Sequence, residues 1–190
     1  RLGEAERLVR AGVWRGWSML DFLGVDVHGK TLGIVGAGRI GTAVARRARG
    51  FDMKLLYFAR SDKPAMAALG AERRPLGELM EESDFVSVHL ALSRETRHFI
   101  DDRALRRMKR EAIFINASRG AVVDQSALVA ALSQGRIAAA GLDVYTNEPM
   151  IPAELLALEN VVLLPHIGSA TVSTRNRMAQ TAAANVVSVL

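Results

Sequence analysis

Short apolar runs alternate with amphipathic segments along most of this 190-residue chain. The apolar runs are four to eight residues long and are bounded by polar residues and glycines, which is typical of buried strands in a parallel sheet. The amphipathic segments predict helices that connect the strands. The predicted strands cover residues 32–35, 54–58, 85–90, 113–117, 137–144 and 161–164, and the predicted helices cover residues 39–50, 64–69, 76–82, 102–108, 125–133, 152–158 and 171 onward.

Strands that alternate with helices predict a parallel sheet whose crossovers are right-handed. Local residues support the boundaries of the helix at 125–133, because Asp124 or Ser126 suits its start and Gly135 suits the left-handed position after its end. A further helix is expected near residues 1–13. The predicted fold is a doubly wound α/β domain with helices on both faces of the sheet.

Three glycines follow the first predicted strand in the order G-x-G-x-x-G, at Gly36, Gly38 and Gly41. The motif joins a strand to a helix, which is the context that a dinucleotide site requires. Gly36 permits a tight turn, Gly38 lets the backbone approach a pyrophosphate, and Gly41 allows close packing of helix and strand. The helix that begins at Arg39 and Ile40 supplies free N–H groups and partial positive charge. We therefore expect a Rossmann-type domain that binds a dinucleotide through these five residues.

The residues after the second predicted strand indicate which dinucleotide is bound. An NAD site normally has Asp or Glu there to accept hydrogen bonds from the ribose hydroxyls. This chain has Ala59, Arg60 and Ser61 instead. A guanidinium suits the 2′-phosphate of NADP, so we expect NADP to be preferred, with NAD still possible. One alternative stays open, in which Arg60 points into solvent and Asp62 serves the ribose of NAD after a small shift of the loop.

Polar side chains follow the last three predicted strands: Arg119, Glu148 and His166. Ligands of an open parallel sheet lie outside the carboxyl ends of its strands. Arg119 is suited to hold a carboxylate or polarise a ketone, and His166 to donate a proton to the oxygen while hydride arrives at the carbon. Glu148 would orient His166 and favour its charged form. Structural roles for each of the three stay open on these grounds.

Composition excludes several other classes of protein. The chain carries a formal charge of +5, but its basic clusters at 46–49 and 106–110 fall on predicted helices without interleaved aromatic residues, so no nucleic-acid role is assigned. No stretch is long and apolar enough to cross a bilayer, and no leader precedes a cleavage site. There is no cysteine, and no spacing supports a metal site. We expect a soluble, cytoplasmic domain with no membrane partner.

Five motifs occur in an order that resembles the D-isomer-specific 2-hydroxyacid dehydrogenase family. The resemblance runs nearly end to end, and it is strongest to the glyoxylate/hydroxypyruvate reductase branch. The motifs are GAGRIG at 36–41, FINASRG at 114–120, AGLDV at 140–144, NEP at 147–149 and PHIGSA at 165–170.

The resemblance implies a role for each polar residue at the strand ends. Arg119 would bind the carboxylate and carbonyl of the substrate, and His166 would be the acid/base with Glu148 as its partner. It implies that Asp143 meets the nicotinamide carboxamide. Further cofactor contacts are implied at Thr96, Asn116, Ala117, Ser118 and Gly168.

The sequence departs from the family pattern in two places. Ala59 stands where an acidic residue is usual, and the segment at 89–96 lacks both of the prolines that relatives often carry there. The first departure is shared with NADP-preferring reductases. The second would alter the adenine side of the groove and leave the chemistry unchanged.

The resemblance also implies parts that this chain does not contain. In the family a substrate domain is formed mostly by residues ahead of Arg1 and beyond Leu190, so we expect residues 1–190 to be the coenzyme domain alone. The first 13 residues, Trp14 and Trp17 fall where the family forms a homodimer. The leading hypothesis is an NADP-dependent reductase of glyoxylate, hydroxypyruvate or a related 2-oxo acid. The alternatives are a cofactor-sensing module, like the co-repressors of this superfamily, and a Rossmann domain for a different nucleotide.

Overall fold

The computed structural model describes residues 1–189 and is built around a parallel sheet of seven strands. The strands are β1 (Thr31–Val35), β2 (Lys54–Phe58), β3 (Glu72–Arg73), β4 (Phe85–Val88), β5 (Ile113–Asn116), β6 (Ala139–Leu142) and β7 (Val161–Leu163). Their order across the sheet is β3-β2-β1-β4-β5-β6-β7, and every neighbouring pair is parallel. This arrangement confirms the predicted Rossmann-type α/β fold.

Helices connect the strands, as the alternating pattern predicts. They are α1 (Leu2–Arg10), α2 (Arg39–Ala48), α3 (Pro64–Ala67), α4 (Leu76–Glu82), α5 (Asp102–Leu105), α6 (Gln125–Ser133), α7 (Ala153–Leu156) and α8 (Val172–Val187). The Asp124 side chain caps α6 by accepting a hydrogen bond from the N–H of Ala127, and Gly135 has a positive φ of 61° beyond its end. Across residues 1–189, none of these helices is both long and apolar enough to cross a membrane.

Several predicted boundaries were wrong, and one strand was missed. The strand predicted at 137–144 is shorter, because Ile137 and Val144 are buried in the core without belonging to the ladder. The helix predicted to reach residue 50 ends at Ala48, where the chain tightens into a 3-10 turn. The helices predicted at 64–69, 102–108 and 152–158 are each a single turn near the start of the predicted range. Strand β3 has two exposed polar residues and therefore gives no apolar signal.

The core lies on both faces of the sheet because side chains alternate along each strand. In β1, Leu32 and Ile34 pack in the cluster that also contains Ala45 of α2, whereas Val35 packs in the larger cluster on the other face. Leu56 of β2 joins the larger cluster in the same way. The two layers of helices therefore hold the strand ends, and the loops after them, in fixed positions.

The direction of winding reverses between β1 and β4, which are neighbours in the sheet but are separated in sequence by β2 and β3. Such a reversal opens a crevice at the carboxyl ends of the strands, where ligands of this fold bind. The loop after β1 contains the three motif glycines. The dinucleotide motif therefore lies at the crevice.

Candidate active site

The first and third motif glycines are required by packing. Gly36 has a φ of 103°, and a Cβ there would lie 2.8 Å from the backbone carbon and oxygen of His89. A Cβ at Gly41 would lie 2.2 Å from the carbonyl oxygen of Gly36. A Cβ at Gly38, in contrast, would meet no atom within 4 Å. The loop is thus closed on the protein side at Gly36 and Gly41 and open at Gly38.

Helix α2 begins beside this open space. Gly38 is its extended N-terminal residue, and no side chain within residues 1–189 caps the N–H groups of the first turn. Ile40 is 67% exposed. Uncapped N–H groups at a helix N-terminus, next to a glycine that lets another group approach, form a binding site for an anion such as a diphosphate. The loop therefore fits a dinucleotide cofactor.

The loop after β2 carries Ala59, Arg60 and Ser61 next to the glycine loop, because β2 pairs with β1. The N–H of Gly36 donates to the carbonyl of Phe58 at 3.0 Å, which links the two loops. Lys63 Nζ donates to Ser61 Oγ at 3.3 Å. Residues 59–61 contain no carboxylate. The ammonium group of Lys63 adds positive charge to this loop, a contribution that the sequence motif did not indicate.

One further residue at this loop was missed by the sequence analysis. The guanidinium of Arg73, in β3, contacts Asp62 at 3.0 Å and also bonds the backbone of the loop. A cavity of about 330 Å³ lies beside these groups, lined by Phe58, Ala59, Arg73, Arg74 and Pro75. The missed signal is the short polar strand that brings Arg73 to the end of β2.

Arg119 follows a turn that Asn116 organises. Asn116 Oδ1 accepts hydrogen bonds from the N–H of Ser118 at 3.0 Å and from its hydroxyl at 2.8 Å. Asn116 Nδ2 donates to the carbonyl of Arg119 at 3.2 Å. The side chains of Asn116 and Ser118 are buried, whereas Ala117 and Arg119 are exposed. The turn therefore fixes the point from which the Arg119 side chain leaves the sheet.

His166 and Glu148 form a hydrogen-bonded pair. Nδ1 of His166 lies 2.8 Å from Oε2 of Glu148, and Glu148 Oε1 accepts from the N–H of Tyr145 at 3.0 Å. The hydrogen bond from His166 lowers the pKa of Glu148, against a smaller opposing effect of burial; the Tyr145 N–H and the charge of Arg119 lower it further. Glu148 is therefore held as a carboxylate that fixes the His166 ring, and Nε2 is left as the nitrogen that can exchange a proton.

Asp143 supports the turn that carries His166. Its two carboxylate oxygens accept hydrogen bonds from the N–H groups of Ile167 at 2.7 Å and Gly168 at 2.8 Å. His166 itself has a φ of 54°, in the left-handed region that costs energy for a residue other than glycine. The buried carboxylate of Asp143 therefore fixes a strained backbone conformation. Its contact with the nicotinamide carboxamide stays a prediction.

The loops that carry Arg119 and Glu148 pack directly against each other. A Cβ at Gly120 would lie 1.9 Å from the carbonyl carbon of Tyr145 and 2.4 Å from the nitrogen of Thr146. The Tyr145 hydroxyl donates to the carbonyl of Leu164 at 2.9 Å, two residues before His166. Because β5, β6 and β7 are neighbours, their loops bring Arg119, Glu148 and His166 to one edge of the sheet.

Thr96 and His89 lie in the loops after β4. The Thr96 hydroxyl accepts a hydrogen bond from the N–H of Ser93 and donates one to the carbonyl of Ala91, both at 2.7 Å. These bonds lie within the loop, and the contact of Thr96 with the cofactor stays a prediction. His89 Nε2 lies 2.9 Å from Ser87 Oγ, and its buried Nδ1 has no hydrogen-bond partner within residues 1–189. Burial lowers the pKa of His89. The His89 ring therefore favours its neutral form at neutral pH.

The family model for the NAD binding domain of D-isomer specific 2-hydroxyacid dehydrogenases matches residues 1–168. The chain belongs to this family. A glyoxylate reductase from Thermococcus kodakarensis is 54% identical over 192 residues, and one from Korarchaeum cryptofilum is 55% identical over 190 residues; each alignment covers 98% of this chain. The chain spans 58% and 57% of the length of these two family members.

Solved structures of the family share the fold. The NADPH-dependent glyoxylate/hydroxypyruvate reductase of Sinorhizobium meliloti, solved in complex with citrate, has a TM-score of 0.84 and 38% sequence identity. The match covers 94% of this chain and 55% of that structure. The 2-hydroxyacid dehydrogenase family and the Rossmann-type fold that the motifs predict are both confirmed.

Proposed function

We propose that this chain is the coenzyme domain of an NADP(H)-dependent 2-oxo acid reductase that acts on glyoxylate, hydroxypyruvate or a related substrate. The observation that carries the proposal is the His166–Glu148 pair, with 2.8 Å between Nδ1 and Oε2, at the same edge of the sheet as Arg119. The relatives support the substrate class, since those from T. kodakarensis and K. cryptofilum are named glyoxylate reductase.

In this proposal Arg119 binds the 2-oxo acid. A guanidinium offers several N–H donors in one plane and so can hold a carboxylate while it polarises the neighbouring carbonyl oxygen. Arg119 is exposed at the end of β5, and its backbone is held by Asn116. Loss of Arg119 would therefore remove both substrate binding and stabilisation of charge on the oxygen.

His166 is the proton donor for reduction. The nicotinamide supplies a hydride to the carbonyl carbon when it is bound. Nε2 of the protonated His166 gives its proton to the carbonyl oxygen, and the neutral ring takes a proton back in the direction of oxidation. Glu148 accepts a hydrogen bond from Nδ1, which holds the ring in one orientation.

The preference for NADP rests on the loop after β2. Residues 59–61 place no carboxylate where an NAD site would have one, and Arg60 and Lys63 supply positive charge. A 2′-phosphate would be attracted by these cations, whereas a ribose 2′-hydroxyl would gain little from them. The S. meliloti structure, which is described as NADPH-dependent, supports this assignment.

We further propose that the whole protein is a cytoplasmic homodimer with a substrate domain outside this chain. The segment at residues 1–27 exposes many large apolar side chains, and Trp17 is 81% exposed. Many exposed apolar side chains within one short segment favour a role in a protein interface. The exposed residues are Leu2, Val9, Val13, Trp14, Trp17, Met19, Leu20, Leu23, Val25 and Val27.

The initial rate of glyoxylate and hydroxypyruvate reduction by the full-length protein tests this function, with NADPH and NADH compared at equal concentrations. His166→Ala should lower kcat by orders of magnitude and leave cofactor affinity nearly unchanged, because the imidazole acts on the substrate oxygen. His28→Ala is the matched control, since His28 lies on an exposed surface 3.6 Å from Asp52. Tight cofactor binding without turnover of any 2-oxo acid would favour the cofactor-sensing alternative.

A further inference from the structure

Arg73 joins the edge strand β3 to the loop that follows β2. Its Nε donates to the carbonyl of Ala59 at 3.1 Å and its Nη2 donates to the carbonyl of Arg60 at 2.9 Å. Its Nη1 donates to Asp62 Oδ1 at 3.0 Å. One planar group therefore contacts three of the four residues of the loop at 59–62.

We propose that Arg73 is a positioning residue for cofactor discrimination. It fixes the backbone that carries Arg60 and Ser61, and it engages the carboxylate of Asp62, the one acidic side chain in the loop at 59–62. Both effects favour a cofactor with a 2′-phosphate over one with a free 2′-hydroxyl. The inference deepens the proposed function and rests on it for the position of the ribose.

The backbone geometry makes Arg73 a rigid support. Arg73 is paired in register with Tyr57 of β2, and the N–H of Arg74 donates to the carbonyl of Tyr57 at 3.0 Å. The Tyr57 hydroxyl accepts from the N–H of Lys63 at 3.1 Å, which fixes the end of the loop. Arg73 therefore holds residues 59–62 of the loop, and Tyr57 holds the residue that follows them, Lys63.

The contact between Arg73 and Asp62 is weak by itself and depends on the two hydrogen bonds from Arg73 to the backbone. The Asp62 side chain is 84% exposed, and exposed ion pairs contribute little on their own. The two backbone carbonyls place the guanidinium, and its fixed fork then presents Nη1 to Asp62 without further ordering. An ammonium at this position would lack the planar fork that reaches three acceptors, so Lys should replace Arg only in part.

Charge decides the direction of the effect. When Asp62 is released, its carboxylate can accept hydrogen bonds from ribose hydroxyls and repels a phosphate. The neighbouring Arg74 does not act in this way, because its guanidinium bonds Glu82 and Glu72 instead of the loop. Arg73 therefore sets the cofactor preference from outside the recognised motif.

The test measures the dissociation constants of NADPH and NADH, by cofactor fluorescence, for the full-length protein and its variants. Arg73→Ala should weaken NADPH binding about tenfold and strengthen NADH binding a few-fold, and Arg73→Lys should give an intermediate ratio. Adding Asp62→Asn to Arg73→Ala should abolish the gain for NADH. Arg107→Ala is the matched control, since Arg107 has the same 41% exposure and pairs with Glu81 away from the loop.

Equal losses for both cofactors in Arg73→Ala would overturn the inference, because a general structural role changes both alike. An unchanged ratio in Arg73→Lys would overturn it if Arg73→Ala does not fold. The dissociation constants can be measured without turnover. A failure of the proposed reductase activity can therefore be distinguished from a failure of this inference. If the unmodified protein binds both cofactors equally, the NADP preference fails, whereas a shift of the ratio in Arg73→Ala still supports the role of Arg73.

Discussion

Gly120 and Tyr145 are in such close contact that a Cβ on Gly120 would lie 1.9 Å from the Tyr145 carbonyl carbon and 2.0 Å from its oxygen. The two residues belong to the loops that carry Arg119 and Glu148. No side chain fits between two backbones at this distance, so the glycine is a requirement of the site and the approach of the loops depends on it. The relative position of Arg119 and Glu148 is therefore determined by backbone packing.

Gly120→Ala should force these two loops apart. We expect kcat to fall about 100-fold or more while the dissociation constant for NADPH changes little, because misplacement of reacting groups by about 1 Å has costs of this size. Steady-state kinetics together with cofactor binding would measure both effects. Gly141→Ala is the control, since a Cβ there would meet no atom within 4 Å. Equal activity of the two variants would contradict the prediction.

Glu148→Gln should keep the contact with His166 but remove the negative charge of the side chain at position 148. In the proposed mechanism the carboxylate orients the proton donor His166, so its loss should lower kcat. Steady-state kinetics of hydroxypyruvate reduction, with the dissociation constant of NADPH as a second readout, would measure this loss. The hydrogen bond from His166 lowers the pKa of Glu148 below its ordinary value of 4.5, so the unmodified pair should persist at pH 5.

The same pKa shift affects stability in a defined direction. A carboxyl group with a lowered pKa in the folded state stabilises the protein above its unfolded pKa, and that contribution is lost as the pH falls through the folded pKa. The acid destabilisation of the unmodified protein below pH 4.5 should therefore be reduced in Glu148→Gln. If the free energy of unfolding falls equally in both proteins as the pH is lowered below 4.5, the His166–Glu148 pair contributes nothing to stability.

His89 should make stability depend on pH nearer neutrality. Burial lowers its pKa below the ordinary value of 6.5, so the unfolded chain binds the proton more readily than the folded chain. The stability contribution of the neutral ring is full above pH 6.5 and is lost as the pH falls towards the folded pKa. In urea unfolding at pH 5.5 and 7.5, His89→Gln should show a smaller difference between the two pH values than the unmodified protein. His28→Gln should retain the full difference.

The sequence predicted the parts of this molecule that depend on local pattern. Six strands follow from apolar runs, and Arg119, Glu148 and His166 could be placed at strand ends from their positions alone. Strand β3 could not be predicted, because its two residues are polar and exposed and exist as a strand only through pairing with β2. Arg73 was missed for the same reason.

Contacts between loops could not be predicted from the sequence pattern either. Gly120 belongs to a recognised motif, yet the sequence does not indicate that Tyr145 lies against it. Asp143 shows the same limit: the resemblance implies a cofactor contact, whereas the structure shows both of its oxygens bonded to the backbone that follows His166. Long-range packing creates both relationships, and no local spacing encodes them.

Asp143→Asn tests the supporting role of this carboxylate. The amide has one acceptor oxygen, and its NH₂ group would face a backbone N–H, so one of the N–H groups of Ile167 and Gly168 would lose its partner. Leaving a buried donor unsatisfied costs about 1–3 kcal/mol. The left-handed backbone of His166 should relax, with a lower melting temperature and a kcat reduced at least about tenfold.

Cofactor affinity separates the two roles of Asp143. If the residue acts only on the turn, the dissociation constant of NADPH should stay within about twofold of the unmodified value while kcat falls. If the carboxamide contact implied by the resemblance also exists, affinity for NADPH should fall together with kcat. Glu111→Gln, on the exposed surface, controls for the loss of one negative charge. Unchanged stability and kcat in Asp143→Asn would contradict the supporting role, because the two hydrogen bonds at 2.7 and 2.8 Å would then hold nothing that the reaction needs.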